Sequence, residues 1–205
     1  MLAVVSRAYG PPESVEVLDV PDPIAGEGEV LLRVTATGLN PLDLHFLTGE
    51  PFVIRLAPPF GLVHPKRTVQ GAEVAGVVEV VGAGVEDVRP GDVVHGFCDG
   101  GALAEWITVP AAQVVPTPDR LTAAQAGSVA IAATTALQGL RDHGRVEPGG
   151  RVLIVGASGG VGTFAVQIAK AMGAHVTGVC SGRNTELVRD LGADEVIDYT
   201  REDFW

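Results

Sequence analysis

The chain has 205 residues, 14 basic against 25 acidic, and a formal net charge of −11; 46% of residues are hydrophobic and 19% charged. That composition supports a packed core and argues against disorder. Acidity without any Lys/Arg cluster argues against a duplex-binding face and against affinity for an anionic membrane surface.

Two cysteines, Cys98 and Cys180, lie far apart, so a disulfide framework is ruled out and a reducing compartment fits. The N-terminus has no basic start followed by a long apolar core, and no apolar run nears the roughly 20 residues that span a bilayer. The expectation is a soluble, cytoplasmic protein that meets a small-molecule substrate, with no nucleic acid and no membrane as partner.

In chain order, short extended runs come first: Val30-Leu-Leu-Arg-Val-Thr-Ala36, then Val74-Ala-Gly-Val-Val-Glu-Val-Val81 with its Gly82-Ala-Gly84 turn. Asp92-Val-Val-His95 follows the turn Arg89-Pro-Gly91, and Ala104-Glu-Trp-Ile-Thr-Val109 ends at Pro110. Short strands between Gly/Pro punctuation predict an irregular all-β barrel over residues 1–122. Pro116-Thr-Pro118 reads as a stiff connector. Thr122-Ala-Ala-Gln-Ala126 reads as a cap and first turn, with Ala-rich helix continuing through Leu140.

Beyond Pro148-Gly-Gly150 the texture becomes regular. Strands are predicted at Arg151–Val155, His175–Cys180 and Glu195–Ile197, with helices at Gly160–Met172 and Thr185–Leu191. Strand, helix, strand, helix, strand implies parallel pairing with right-handed crossovers. Residues 123–205 are thus read as the first half of a doubly wound domain.

The strongest motif is Val152-Leu-Ile-Val-Gly-Ala-Ser-Gly-Gly-Val-Gly162, a Gly-rich turn between an apolar strand and a helix. Read as Ala157-x-Gly159-x-x-Gly162, it puts a small residue in the tight turn. Gly159 lets a pyrophosphate approach the backbone, and Gly162 lets helix and strand pack closely. Free amides at the helix start face the phosphates, and Ser158 can add a hydroxyl. An NAD site wants an acid at the end of the second strand; this chain reads Val179-Cys-Ser-Gly-Arg-Asn184 there. Ser181 and the Arg183 guanidinium instead suit a 2′-phosphate, so NADP(H) is the expected cofactor.

With these residues the chain resembles the zinc-free quinone oxidoreductase branch of the medium-chain dehydrogenase/reductase superfamily, in particular bacterial NAD(P)-dependent alcohol dehydrogenase-like proteins. The pieces that carry the resemblance are Gly38-Leu-Asn-Pro-Leu-Asp43, Gly71-Ala-Glu-Val-Ala-Gly76, Arg89-Pro-Gly-Asp92, Thr135-Ala-Leu137 and the run from Gly149 to Phe204. The resemblance implies an α/β protein: a GroES-like catalytic β-barrel, then a Rossmann domain, with substrate in the cleft between them. It implies NADPH-dependent hydride transfer to a quinone, enone or related carbonyl. It implies cofactor contacts from Ser158, Gly159, Gly160, Val161, Gly162, Ser181, Arg183 and Tyr199, with Thr135 near the nicotinamide end. Asn40 is the candidate donor for charge that develops on the substrate oxygen.

Zinc-dependent relatives take ligands from a Cys and a His at slots that here hold Asn40 and Ala72, so no metal is expected. The resemblance also implies that the chain stops halfway through the nucleotide domain. Weak binding and impaired turnover are then expected, and the strand edge that pairs homodimers in the family is missing. Two other function classes stay open: a non-catalytic nucleotide-binding remnant or redox sensor, and a zinc alcohol dehydrogenase.

Overall fold

A computed structural model describes residues 1–57 and 60–203. It divides into two compact units, Met1–Ile131 and Ala132–Trp205. The division falls after the expected join at residue 122, because a helical turn beginning at Ala123 packs on the first unit's strands. Among the described residues no helix is long and apolar enough to cross a membrane.

The first unit opens with an antiparallel pair, β1 (Leu2–Val5) and β2 (Glu16–Asp19), which the sequence reading passed over. Its main sheet has five antiparallel strands: β3 (Glu29–Ala36), β4 (Glu73–Val81), β5 (Val93–Phe97), β6 (Trp106–Pro110) and β7 (Val114–Pro116). The order is β6-β3-β4-β5-β7, with bulges where β3 pairs β4. Alternating Val30, Leu32, Val78, Val94, Ile107 and Val109 fill the core from several strands at once. Pro116 pairs with Val94, so the expected connector begins as a strand edge, where a proline's missing N–H costs no ladder bond.

Between β3 and β4 lies a helix that the sequence did not reveal, α1 (Pro41–Thr48). Its apolar residues Leu42, Leu44, Phe46 and Leu47 are spread around the axis, so no stripe marks it. The start signals are present all the same. Pro41 occupies the first position, and the Asp43 carboxylate accepts the Asn40 backbone N–H at 2.6 Å. Gly49, at φ 63°, ends the helix in the left-handed region.

The Ala-rich stretch is two helices. α2 (Ala123–Ala126) is capped by Thr122, whose hydroxyl accepts from Gln125 N at 3.3 Å. α3 (Ala130–Gln138) runs into a π-turn at Gly139–His143. The expected single helix breaks at Gly127-Ser128-Val129, where Gly127 lies so close to Ala36 that an added Cβ would come within 2.9 Å of it.

The second unit follows the predicted alternation: β8 (Arg151–Val155), α4 (Gly160–Ala171), β9 (His175–Cys180), α5 (Thr185–Asp190) and β10 (Glu195–Asp198). The strands are parallel, in the order β10-β9-β8. Val166 and Ala169 of α4, Val188 of α5, and Ile154 and Val176 from the sheet form one core. The final residues of the family-like run, Phe204 and Trp205, lie outside the described residues.

Candidate dinucleotide site

The turn from β8 into α4 has the form that phosphate binding needs. Gly156 adopts φ 76°, open to glycine at little cost. The tight turn is therefore made by Gly156, one residue before the expected Ala157. Ala157 must be small for another reason: it is fully buried where α4 and β9 close on the turn. The backbone N–H groups of Gly156 and Ala157 both donate to Val179 O at 3.0 Å, fixing the turn to the neighbouring strand.

Gly162 does what the motif asks of it. A Cβ there would lie 2.1 Å from Gly156 O and 2.8 Å from Ala157 Cα. Gly159 is the N-cap of α4, and a Cβ on Gly160 would meet nothing within 4 Å, so the approach to the helix start is open. The first amides of α4 have no partner within the helix and carry the positive end of its dipole.

The end of β9 is brought to this turn by a residue the sequence reading named without giving it a role. Asn184 Nδ2 donates to Ser158 Oγ at 3.0 Å and to Ser181 Oγ at 3.3 Å. One amide thus ties the two hydroxyl-bearing loops together and leaves each Ser O–H free to donate elsewhere. Only the local Ser/Asn spacing hinted at this, since the contact needs β8 and β9 paired. The Arg183 side chain is exposed, and its guanidinium has no hydrogen bond or ion pair among the described residues.

A carboxylate also stands nearby, supplied by β10. A Cβ on Gly182 would lie 2.4 Å from Asp198 Oδ2. Asp198 accepts from Thr200 N at 3.0 Å and Thr200 Oγ1 at 2.7 Å, and it stands 3.6 Å from Arg201 Nε. The Thr200 hydroxyl and amide hold its pKa below the usual carboxylate range, so it is charged at neutral pH.

Tyr199 donates its backbone N–H to Cys180 O at 3.2 Å. It lines a cavity of about 670 Å³ with Val155, Gly156 and Val179, at the mouth of the same turn. Thr135 lies on the exposed side of α3.

Asn40 belongs to the first unit. It is the N-cap of α1, and its Nδ2 donates to Glu73 Oε1 at 2.7 Å. Glu73 is 1% exposed and also accepts the backbone N–H of Ile131 at 3.1 Å. The Asn40 amide is therefore oriented by a buried carboxylate. His45 is bound through its ring to the Glu50 carbonyl, and His64 is exposed. Among the described residues no three His, Cys, Asp or Glu side chains gather as a metal site.

Residues 26–119 match the alcohol dehydrogenase GroES-like domain and residues 160–205 the zinc-binding dehydrogenase family. A chloroplast envelope quinone oxidoreductase homolog of Arabidopsis thaliana is 38% identical over 97% of this chain and 61% of its own length. A trans-enoyl reductase of Aspergillus terreus is 39% identical over 87% of this chain and 51% of its own. The Escherichia coli quinone oxidoreductase complexed with NADPH superposes with a TM-score of 0.86 at 28% identity, over 99% of this chain and 60% of that one. The chain thus spans about half to three-fifths of the length of these relatives.

Proposed function

Since the chain belongs to the medium-chain dehydrogenase/reductase superfamily and has quinone oxidoreductase-like relatives, we propose that it serves an NADPH-dependent reduction of a quinone or enone that needs no zinc. The observation that carries this reading is the unpaired Arg183 guanidinium, one loop from an open helix start. It can offer charge-assisted hydrogen bonds to a 2′-phosphate, worth about 1.5–3 kcal/mol. Asp198 favours the opposite choice, a bare ribose hydroxyl. It is already occupied by Thr200 and Arg201, so the guanidinium outweighs it.

When bound, the nicotinamide supplies the hydride; the protein supplies placement and charge. The amides of Gly160 and Val161 donate to the pyrophosphate and orient it, with the helix dipole favouring its negative charge. Ser158 and Ser181 donate hydroxyls to the cofactor, Gly159 and Gly162 keep the backbone within reach, and Tyr199 borders the turn. Thr135 is assigned to the nicotinamide end. One N–H of the Asn40 amide is spent on Glu73; the other is available for a substrate oxygen as it gains charge.

Asn40 and Ala72 stand where zinc-dependent relatives carry ligands, which supports the metal-free reading. Two buried free cysteines are compatible with a reducing, cytoplasmic setting.

The test is NADPH consumption with a simple quinone and with a conjugated enone, beside NADH controls. Turnover that prefers NADPH supports the proposal. Saturable nucleotide binding without turnover on either acceptor favours a sensor, and stoichiometric zinc in the active protein overturns the metal-free reading.

A further inference from the structure

The first unit contains a cavity of about 360 Å³, lined by β1, the segment before β2, and α1. Its walls are apolar: Val4, Val15, Leu47 and Leu103. Leu39 and Leu44, both exposed, line the side open to solvent. Two polar side chains that line it are among the most buried in the unit. Gln70 is 5% exposed and Asp43 8%.

The Gln70 backbone is satisfied, donating to Val4 O and accepting from Leu103 N. Its side-chain amide has no partner at either Nε2 or Oε1, and Asp43 Oδ1 has none either. A buried amide without partners costs about 1–3 kcal/mol, a cost that a ligand's hydrogen bonds can offset.

We propose that this cavity binds a small neutral molecule consisting of an apolar body and a primary carboxamide. The three orphaned atoms comprise two acceptors and one donor group. A primary carboxamide has two N–H donors, for Gln70 Oε1 and Asp43 Oδ1, and a carbonyl that accepts from Gln70 Nε2. An alcohol has one donor and leaves an acceptor unmet. A carboxylate places a second negative charge beside Asp43. A single water satisfies the polar end but fills only about 30 Å³, leaving the apolar walls uncovered. The site shares no residue with the dinucleotide turn, but Asn40, proposed above to meet the substrate oxygen, also lines it, so a ligand held here lies beside that residue.

The experiment is a ¹H–¹⁵N titration of the chain, without nucleotide, using benzamide, benzoate and toluene as probes. Benzamide should give saturable shifts at the Gln70 side-chain amide and at the backbones of Val4 and Leu103; benzoate should give none. Gln70→Met should weaken benzamide about tenfold. Leu44→Trp, at an exposed position that leaves the core intact, should block entry if the first variant fails to fold. The proposal is overturned by an absence of saturable shifts, as an ordered water alone predicts. Toluene binding as tightly as benzamide, or Gln70→Met binding benzamide as the parent does, also overturns it.

Discussion

The two units hold their chemistry in different ways. In the antiparallel unit the important side chains are fixed by partners far along the sequence: Asn40 by Glu73, and Glu73 by the amide of Ile131. In the parallel unit the binding turn is built within one strand–helix–strand repeat, by Val179 O on the turn amides and Asn184 across two serines. The sheets differ as well. From Glu73 to Gly76, β4 is buried on both faces, whereas on β8 Leu153 and Val155 are 51% and 61% exposed while Val152 and Ile154 pack into the core. Long-range fixing buries chemistry inside a core; local fixing leaves it at an accessible strand end.

The sharpest way to break this comparison is Glu73→Ala. It removes the buried carboxylate that accepts from the part-buried Asn40 amide and Ile131 N–H, each bond to a charged group being worth about 1.5–3 kcal/mol, so a loss of about 2–5 kcal/mol in denaturant unfolding is expected. A loss below about 0.5 kcal/mol, within the range of ordinary surface substitutions, contradicts the account of that contact.

Next comes Gly162→Ala, which drives a methyl into backbone atoms of Gly156 and Ala157. The expected cost is about 1–3 kcal/mol in thermal unfolding, with loss of nucleotide binding. Gly160→Ala, two residues earlier in open space, should be neutral or slightly stabilising. Smaller again is Asn184→Ala, expected to cost about 1 kcal/mol and to loosen the loop after β9; amide exchange at Ser158 and Ser181 should speed up.

This contrast also explains what the sequence made legible. The β8–α4 turn could be read residue by residue because glycine spacing, strand and helix are contiguous there. Ser181 and Arg183 could be placed at the next strand end, because β9 was legible as a strand. The role of Gly156 was misassigned to Ala157, since spacing alone does not reveal which residue takes the positive φ. α1 stayed hidden because its apolar residues circle the axis, and β1 and β2 are too short to show alternation. Asp198 was missed as a neighbour of Gly182 because the predicted strand stopped at Ile197 and the register that sets Asp198 opposite Cys180 is not written in the spacing.

The smallest effect concerns acid, and its sign differs between the units. Asp194, in the parallel unit, is held below the usual carboxylate range by Lys170 and then by the Val176 N–H, and Asp198 by Thr200. A depressed folded pKa gives stability that is present above the unfolded value of about 4 and lost as pH falls through the folded one. Asp43, in the antiparallel unit, is shifted upward by burial. Its ionised form costs stability, and that cost disappears as pH falls. Amide exchange below about pH 4 should therefore weaken the parallel unit first. Asp194→Asn should flatten that response.

The central claim is that the helix start at Gly160 and the free Arg183 receive an adenosine bearing a 2′-phosphate. Its most direct test is calorimetric titration of the chain with adenosine 2′,5′-bisphosphate and with 5′-AMP, repeated on Arg183→Glu. The account predicts that the bisphosphate binds about 10–100-fold tighter and that charge reversal abolishes this preference. Equal binding of the two nucleotides, or a preference that survives Arg183→Glu, contradicts it.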